Sequence, residues 1–557
     1  MLLSNLNLLA TAPGGVARLR ELILTLAVQG KLVPQDPKDE PASELLKKIR
    51  AEKDRLIAEG KIKRDKPLAE IAEEEKPFGL PASWEPVRLN ELLPEFQNGA
   101  SSRGDVGGKS VTVLRLADIK NRRISLADTR QIPIAERDIL KYHLQVGDIL
   151  ITRVNGSADI VGQFNLCETA VDAIYCDHFI RMRVSNQWIE PTYLALVSES
   201  SLMRRRVKEL FITTAGQKTV NQGHIGSLPF GLPPLAEQSR IVTRVEELMR
   251  LCDALEAKGQ REATQHAQLV STLLTTLTES ETPAQLANNW HRIATHFDLL
   301  LDRPEAVDAL EQTILQLAVR GLLVLQDPQD EPASELLKKI RAEKDKLIAE
   351  GKIKRDKPLP LIAEDEQPYV LPAGWEWVRL GYLMELVSGQ HLGPNEYVEG
   401  LGASVPYLTG PAEFGLVSPE PSRSTNERRA IAIQADILIT VKGSGVGKLN
   451  VVTQSEIAIS RQLMAIRPVK MDSEFLMIVL QTMALHFQEK SVGIAIPGIG
   501  REDVTHTLIG LPPLAEQSRI VTRVAQLRRL CADLRERLTA SQSTQAHLAE
   551  ALVDTVG

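Results

Sequence analysis

Residues 24–68 read LTLAVQGKLVPQDPKDEPASELLKKIRAEKDRLIAEGKIKRDKPL, and the passage returns at 315–359 as LQLAVRGLLVLQDPQDEPASELLKKIRAEKDKLIAEGKIKRDKPL. Only Thr25/Gln316, Gln29/Arg320, Lys31/Leu322, Pro34/Leu325, Lys38/Gln329 and Arg55/Lys346 differ. A repeat of this fidelity means that one structural unit is used twice, which settles the organisation of the chain before any local reading. A second block, GLPPLAEQSRIVTRV, stands at 231–245 and again, unchanged, at 510–524. The chain is therefore an opening frame, an enclosed stretch and a closing frame, twice over. The first block is displaced by 291 positions and the second by 279, so the second enclosed stretch is 12 residues shorter.

The enclosed stretches share less. GDILITRVNGSADIVGQFN (147–165) stands beside ADILITVKGSGVGKLN (435–450), and PASWEPVRLNELL (81–93) beside PAGWEWVRLGYLM (372–384). In the first pair an apolar β-rich run passes into a Gly/Ser turn, which predicts strand, tight loop and strand. Two domains of one fold with different surfaces follow.

The closing block predicts a helix. Pro233-Pro234 and Pro512-Pro513 can stop the preceding chain and set the first helical turn. Ile241, Val245, Leu248, Cys252 and Leu255, and later Ile520, Val524, Leu527, Cys531, Leu534 and Leu538, alternate by four and three, the spacing of a coiled-coil seam. A helix from about 236 to 277 would be roughly 60 Å long, and the two seams are expected to pack on each other as a ruler between the domains. The repeated opening block predicts another helix over about 43–59, with Ser43 as N-cap, Gly60 as its stop and Glu44/Lys48 as an i,i+4 pair. The basic run Lys61, Lys63, Arg64, Lys66, repeated as Lys352, Lys354, Arg355, Lys357, reads as a solvated tail or as a phosphate or partner contact.

The expected fold class is α+β: two similar α/β domains separated by long antiparallel coiled-coil helices in a tandem repeat with pseudo-two-fold character. The expected boundaries are an N-terminal helical frame at 1–80, domains at 81–230 and 372–509, a central helical spacer at 231–371 and a last spacer at 510–557.

At 557 residues and 43% hydrophobic content, the chain can bury substantial cores. Cys167, Cys176, Cys252 and Cys531 lie far apart without a C-x-x-C pair, so neither zinc nor disulfides are expected. The start lacks a basic stretch before its apolar run, and no 18-residue apolar segment follows, so a soluble cytoplasmic protein with no membrane contact is expected. The net charge of −6 argues against DNA binding unless basic residues are clustered or shared with partners.

Enzymatic motifs fail on inspection. GSGVGKL at 443–449 lacks the glycine five residues before its Gly-Lys pair and the hydroxyl after it, where Lys442 and Leu449 stand. The Pro-Pro pairs are flanked by leucines, which can neither hold an adenine amine nor stack as the aromatic of an adenine methyltransferase motif does. No catalytic residues and no metal site are assigned.

Two unlike domains, each closed by PPLAEQ with a seam-bearing helix and each preceded by LAVQGKLVPQDP or LAVRGLLVLQDP, resemble the specificity subunits of type I restriction-modification systems. The resemblance implies target-recognition domains that each read half of a split, asymmetric site in double-stranded DNA. It implies two methyltransferase subunits as partners, carrying S-adenosylmethionine and methylating adenine, with restriction/translocase subunits joining them. No cofactor is then expected in this chain. A coiled-coil scaffold that binds protein without reading DNA is the alternative.

Counting Lys and Arg against Asp and Glu gives residues 86–230 a charge of +3 and residues 376–510 one of −3. In the first domain the loop Arg153, Asn155, Ser157 offers a guanidinium for guanine O6/N7 and an amide for adenine N6/N7, and Gln217, Lys218 and Asn221 offer similar chemistry. Arg204, Arg205 and Arg206 read as a phosphate cluster or a solvated face. In the second domain the candidates are Lys442, Ser444, Lys448, Arg461, Gln462 and Arg501, each against the bland reading of a surface turn.

Overall fold

The computed structural model describes residues 6–64, 70–76, 79–101, 108–214, 216–355, 357–491 and 497–554. The chain divides into two compact units, Met1–Glu262 with Gln542–Gly557, and Ala263–Ser541. The first long helix, Leu235–Thr278, has 44 residues, and the second, Leu514–Asp554, has 41. At 1.5 Å per residue they are each about 60–65 Å long. No helix among the described residues is long and apolar enough to cross a membrane.

In the first unit the predicted strand forms at Ile149–Thr152, with every residue buried. It lies inside a four-stranded antiparallel sheet, between Phe179–Arg183 and Phe164–Leu166, with Glu95–Asn98 on the far edge. Each fully buried Ile or Leu there contributes roughly 1.5–3 kcal/mol. Asp148, just before this strand, is buried and held by two hydrogen bonds from Arg183, at 2.6 and 2.7 Å. The domain also holds two three-stranded sheets, Ile174–Tyr175, Lys109–Leu114 and Arg130–Ile134 in one and Ile212–Thr214, Gln217–Thr219 and Val154–Asn155 in the other, and a two-stranded ladder of Ile119–Lys120 with Arg123–Ile124.

The second unit repeats the central sheet. Ile437–Thr440 pairs antiparallel with Leu463–Pro468 and Leu449–Val451, and Met384–Ser388 takes the far edge. Arg467 donates to the buried Asp436 at 2.9 and 2.8 Å, as Arg183 does to Asp148. A five-stranded sheet replaces the smaller sheets of the first domain.

The duplicated motifs close both domains identically. The opening strand Glu85–Arg88 pairs antiparallel with Pro229–Leu232, and Glu376–Arg379 pairs with Leu508–Leu511. Arg240 of one closing block donates to Asp39 at 3.2 and 2.5 Å, and Arg519 of the other to Asp330 at the same two distances. Gln35 donates to Glu237 at 2.6 Å and Gln326 to Glu516 at 3.1 Å. Gln238 accepts from the Glu190 backbone N–H at 2.8 Å, Gln517 from that of Asp472 at 2.9 Å. The Glu-Gln pair of PPLAEQ thus joins frame, domain and long helix through buried polar groups, which must be satisfied once desolvated.

One expectation is refined and one is corrected. Each seam's first turns are covered inside their own unit, while Val270, Leu274 and Leu277 of the first long helix enter the same core as Ile520, Val524 and Cys531 of the second. Ile241 and Val245 lie in the first unit's core with Ile23 and Ala27 of the helix Gly15–Val28, Leu248 packs against that core, and Leu255 is half-buried outside it. Arg20 of that short helix bonds Asp253 and Glu256, each at 2.7 Å. Ile520 and Val524 lie in the second unit's core with Leu310 and Ile314 of Pro304–Val319, with Leu527 and Leu534 packed against it. Arg535 bonds Asp308 and Glu311 there, both at 2.8 Å. The reason is that each repeat supplies its own amphipathic helix to cover the stripe.

The correction concerns the cap. The frame helices run Ala42–Ala58 and Ala333–Ala349 with Pro41 and Pro332 at the N-cap, so Ser43 lies inside the first turn. Lys48 bonds Glu40 at 2.6 Å rather than Glu44, which instead takes Lys47 at 2.7 Å. Gly60 ends the first helix with φ +68°, as expected.

Candidate nucleic-acid interface

In the first domain the chain leaves the buried strand at Thr152 and turns outward. Arg153 is half-buried; its backbone N–H donates to His178 O at 2.7 Å and its Nη1 to Asp177 O at 3.4 Å. The next residues pair with the hairpin strand, Val154 opposite Thr219 and Asn155 opposite Lys218. Lys218 Nζ donates to Gly156 O at 3.1 Å, and Asn155 Oδ1 accepts from the Ser157 N–H at 2.9 Å. These contacts bring Arg153, Asn155, Ser157, Gln217 and Lys218 to one sheet edge. The side-chain oxygen of Asn155 shapes the turn, leaving its NH2 group as the part that can meet a base. Asn221 caps the short helix Gln222–Gly226, accepting from the His224 N–H at 2.8 Å.

The arginine cluster divides. Arg204 donates to the carbonyls of Ala158, Asp159 and Val161 at 3.1, 3.0 and 3.0 Å, and burial pulls its pKa down. Arg206 bonds the carbonyls of Pro229 and Glu75, and burial lowers its pKa too. Both are corrected from phosphate contacts to supports, Arg204 of the 157–161 loop. Arg205 is exposed and has no ion pair or hydrogen bond among the described residues.

A cleft of about 260 Å³ that sequence reasoning missed lies beside Arg153, lined by Arg115, Arg130, Cys176 and His178 with apolar neighbours. Strand register contains the signal. Phe179 pairs with Thr152 and Leu463 with Thr440, so Asp177-His178 occupies the place of Arg461-Gln462 in the second domain. Cys176, Asp177 and His178 are also the one trio among the described residues close enough to share a metal ion. Burial pushes the Cys176 thiol up to about 11, so it is a protonated and poor ligand near neutrality.

In the second domain three segments meet at the corresponding end of the sheet. Val441 N–H donates to Gln462 O at 2.8 Å, Ile499 N–H to Val441 O at 2.9 Å, and Lys442 is bridged to Gly498. Lys442, Lys448 and Arg461 are exposed, without ion pairs among the described residues, and Ser444 is exposed between them. A Cβ at Gly410 would stand 2.6 Å from Gln462 Oε1, so glycine there gives that side chain its room. An acidic domain thus concentrates three unneutralised cations at one edge, the local clustering that net charge conceals. The turn leads from Ile437–Thr440 into Leu449–Val451, with no helix N-terminus behind it for a nucleotide phosphate. Arg501 is corrected: Nη1 donates to Leu386 O at 2.6 Å and Ser388 Oγ at 3.3 Å, tying a short helix to the sheet.

In the basic runs, Lys61 pairs with Glu59 at 2.7 Å and Lys352 with Glu350 at 2.8 Å, which gives these two lysines a solvated role; Lys66 lies outside the described residues.

A family model described as the type I restriction modification DNA specificity domain matches residues 81–265 and 372–541. The EcoEI specificity subunit of Escherichia coli is 36% identical over 579 residues, covering 97% of this chain and 93% of that one. The EcoAI specificity subunit of Escherichia coli is 37% identical over 564 residues, with the same coverage, 97% and 93%. A solved structure described as the basis of complex assembly and conformational transition of the type I R-M system matches with TM-score 0.51 at 20% identity, covering 86% of this chain and 99% of that one. At that identity it supports the fold alone.

Proposed function

Because the chain belongs to the specificity subunits of type I restriction-modification systems, we propose that its two domains read the two halves of an asymmetric site in double-stranded DNA for methyltransferase and restriction partners. One observation carries the reading: two near-identical frames hold matching sheet ends on which the outward residues differ. Asn155 and Asp177-His178 stand in one domain where Gly443 and Arg461-Gln462 stand in the other. Edges with different donors and acceptors select different base pairs, so the site is non-palindromic. Identical frames suit two copies of one partner, since each offers the same surface.

The proposed partners are two methyltransferase subunits, which bring S-adenosylmethionine and transfer its methyl group to adenine, and restriction/translocase subunits. This chain supplies selection and no chemistry, and the work is cytoplasmic, where the DNA is. The test is to exchange residues 86–230 for the same span of a relative and sequence the methylome. One half of the methylated site should change; alteration of both halves, or methylation by the lone chain given S-adenosylmethionine, refutes the reading. A protein scaffold that does not read DNA would show no steep salt dependence of DNA affinity in the assembled complex.

A further inference from the structure

We infer that the cleft between the second frame helix, Ala333–Ala349, and the start of the second domain docks an acidic segment of the methyltransferase partner; the inference rests on the proposed function. The cleft holds about 460 Å³ and is lined by Arg341, Lys344, Arg355 and Lys357 on the frame side and by Trp377 and Tyr382 on the domain side. Asp345 is the one acid lining it among the described residues. Lys344 is occupied by the Gly381 and Met384 carbonyls at 2.8 and 2.9 Å, and Lys357 lies 3.9 Å from Glu502. Arg341 and Arg355 are exposed and have no hydrogen bond or ion pair among the described residues.

The first unit shows which group suits such an arginine. Arg50, the counterpart of Arg341, lies 3.5 Å from the carboxylate of Glu91. Position 382 is the counterpart of 91 and holds Tyr382, 42% exposed, so the second repeat has the same guanidinium without the internal carboxylate. A guanidinium is best answered by a carboxylate or phosphate in a forked pair, and the Trp377 and Tyr382 rings add apolar ground for a peptide. The frame-side residues of the cleft recur at Arg50, Lys53, Asp54 and Arg64, which fits a partner present in two copies. Glu91 competes for Arg50, so the two frames hold their partner copies unequally, the second more tightly.

The test uses the full chain assembled with the purified methyltransferase subunit of its own system, counting bound copies by mass photometry across a NaCl series. R341E/R355E is expected to weaken the second frame by at least about tenfold while leaving the other copy bound. Y382E, at an exposed position, installs the carboxylate of the first repeat and is expected to weaken the same frame, with circular dichroism confirming the fold. If both variants bind two copies as the unaltered chain does, the inference is wrong and the proposed function stands. Should the variants keep both copies but lose DNA affinity, the cleft is a phosphate site and the inference is again wrong. If the unaltered chain binds no methyltransferase, the proposed function itself falls and the inference with it.

Discussion

Trp375 donates its indole N–H to Glu516 Oε2 at 3.0 Å, joining the first residues of the second domain to the first turn of the long helix that closes it. Glu516 is 1% exposed and also accepts from Gln326. Burial pushes its carboxyl above the ordinary value, against the pull of those two hydrogen bonds, and burial raises Glu237 likewise in the first unit.

A carboxyl raised in the folded state binds more protons folded than unfolded, so its contribution to stability falls as pH rises from its unfolded value through its folded one. Glu516→Gln keeps an acceptor for Trp375 and Gln326 and removes the ionisation. The difference in melting temperature, variant minus unaltered protein, should grow with pH across that window and be flat above it. A difference independent of pH, in melts from pH 4 to 8, would contradict this account.

Arg204 and Arg205 are adjacent and should behave oppositely. Removing Arg204 leaves the Ala158, Asp159 and Val161 carbonyls short of a donor, so Arg204→Ala should cost about 1–3 kcal/mol of stability in urea unfolding. Arg205→Ala should leave stability within about 0.5 kcal/mol and reduce the salt slope of DNA binding by about one if the side chain meets a phosphate. An unchanged slope assigns Arg205 to the solvated face.

This pair also shows where sequence stops. Three consecutive arginines give a dense patch in one dimension, but about 100° of helix rotation per residue sends Arg204, Arg205 and Arg206 to different surroundings. The seams are legible in part: their spacing requires an apolar partner without saying which helix supplies it at each turn, and the short helices at 15–28 and 304–319 supply it for the first turns inside each unit. What was legible is what repetition or composition carries. The sheet strand in ILIT, the turn after it and the long helices follow from apolar runs and glycines, whereas the meeting of the 153–157 and 217–218 segments is a long-range strand pairing that only the structure shows. The buried Glu-Gln pair of PPLAEQ was visible as identity, but its bonds to Trp375 and Asp472 depend on contacts more than 40 residues away.

Lys442, Lys448 and Arg461 share one exposed edge, yet lysine and arginine contacts have different signatures. Lys442→Ala and Lys448→Ala should weaken binding for all sequences alike and lower the salt slope, as loss of phosphate contacts does. Arg461→Ala should cost about 1–3 kcal/mol for the preferred site and relax selection in one half-site only. Methylome sequencing of cells carrying each variant separates these outcomes, and relaxed selection in both halves after Arg461→Ala would break the assignment.

Ile241 and Ile520 occupy equivalent places in the closing blocks, both fully buried, but in separate cores. Truncating a buried isoleucine to alanine costs about 2–5 kcal/mol and loosens what packs against it first. Ile241→Ala should therefore raise amide hydrogen exchange in Gly15–Val28 and leave Pro304–Val319 protected, while Ile520→Ala does the reverse. If either substitution deprotected both short helices equally, the seams would be sharing one packing surface, and the assignment of each stripe to the helix of its own unit would be wrong.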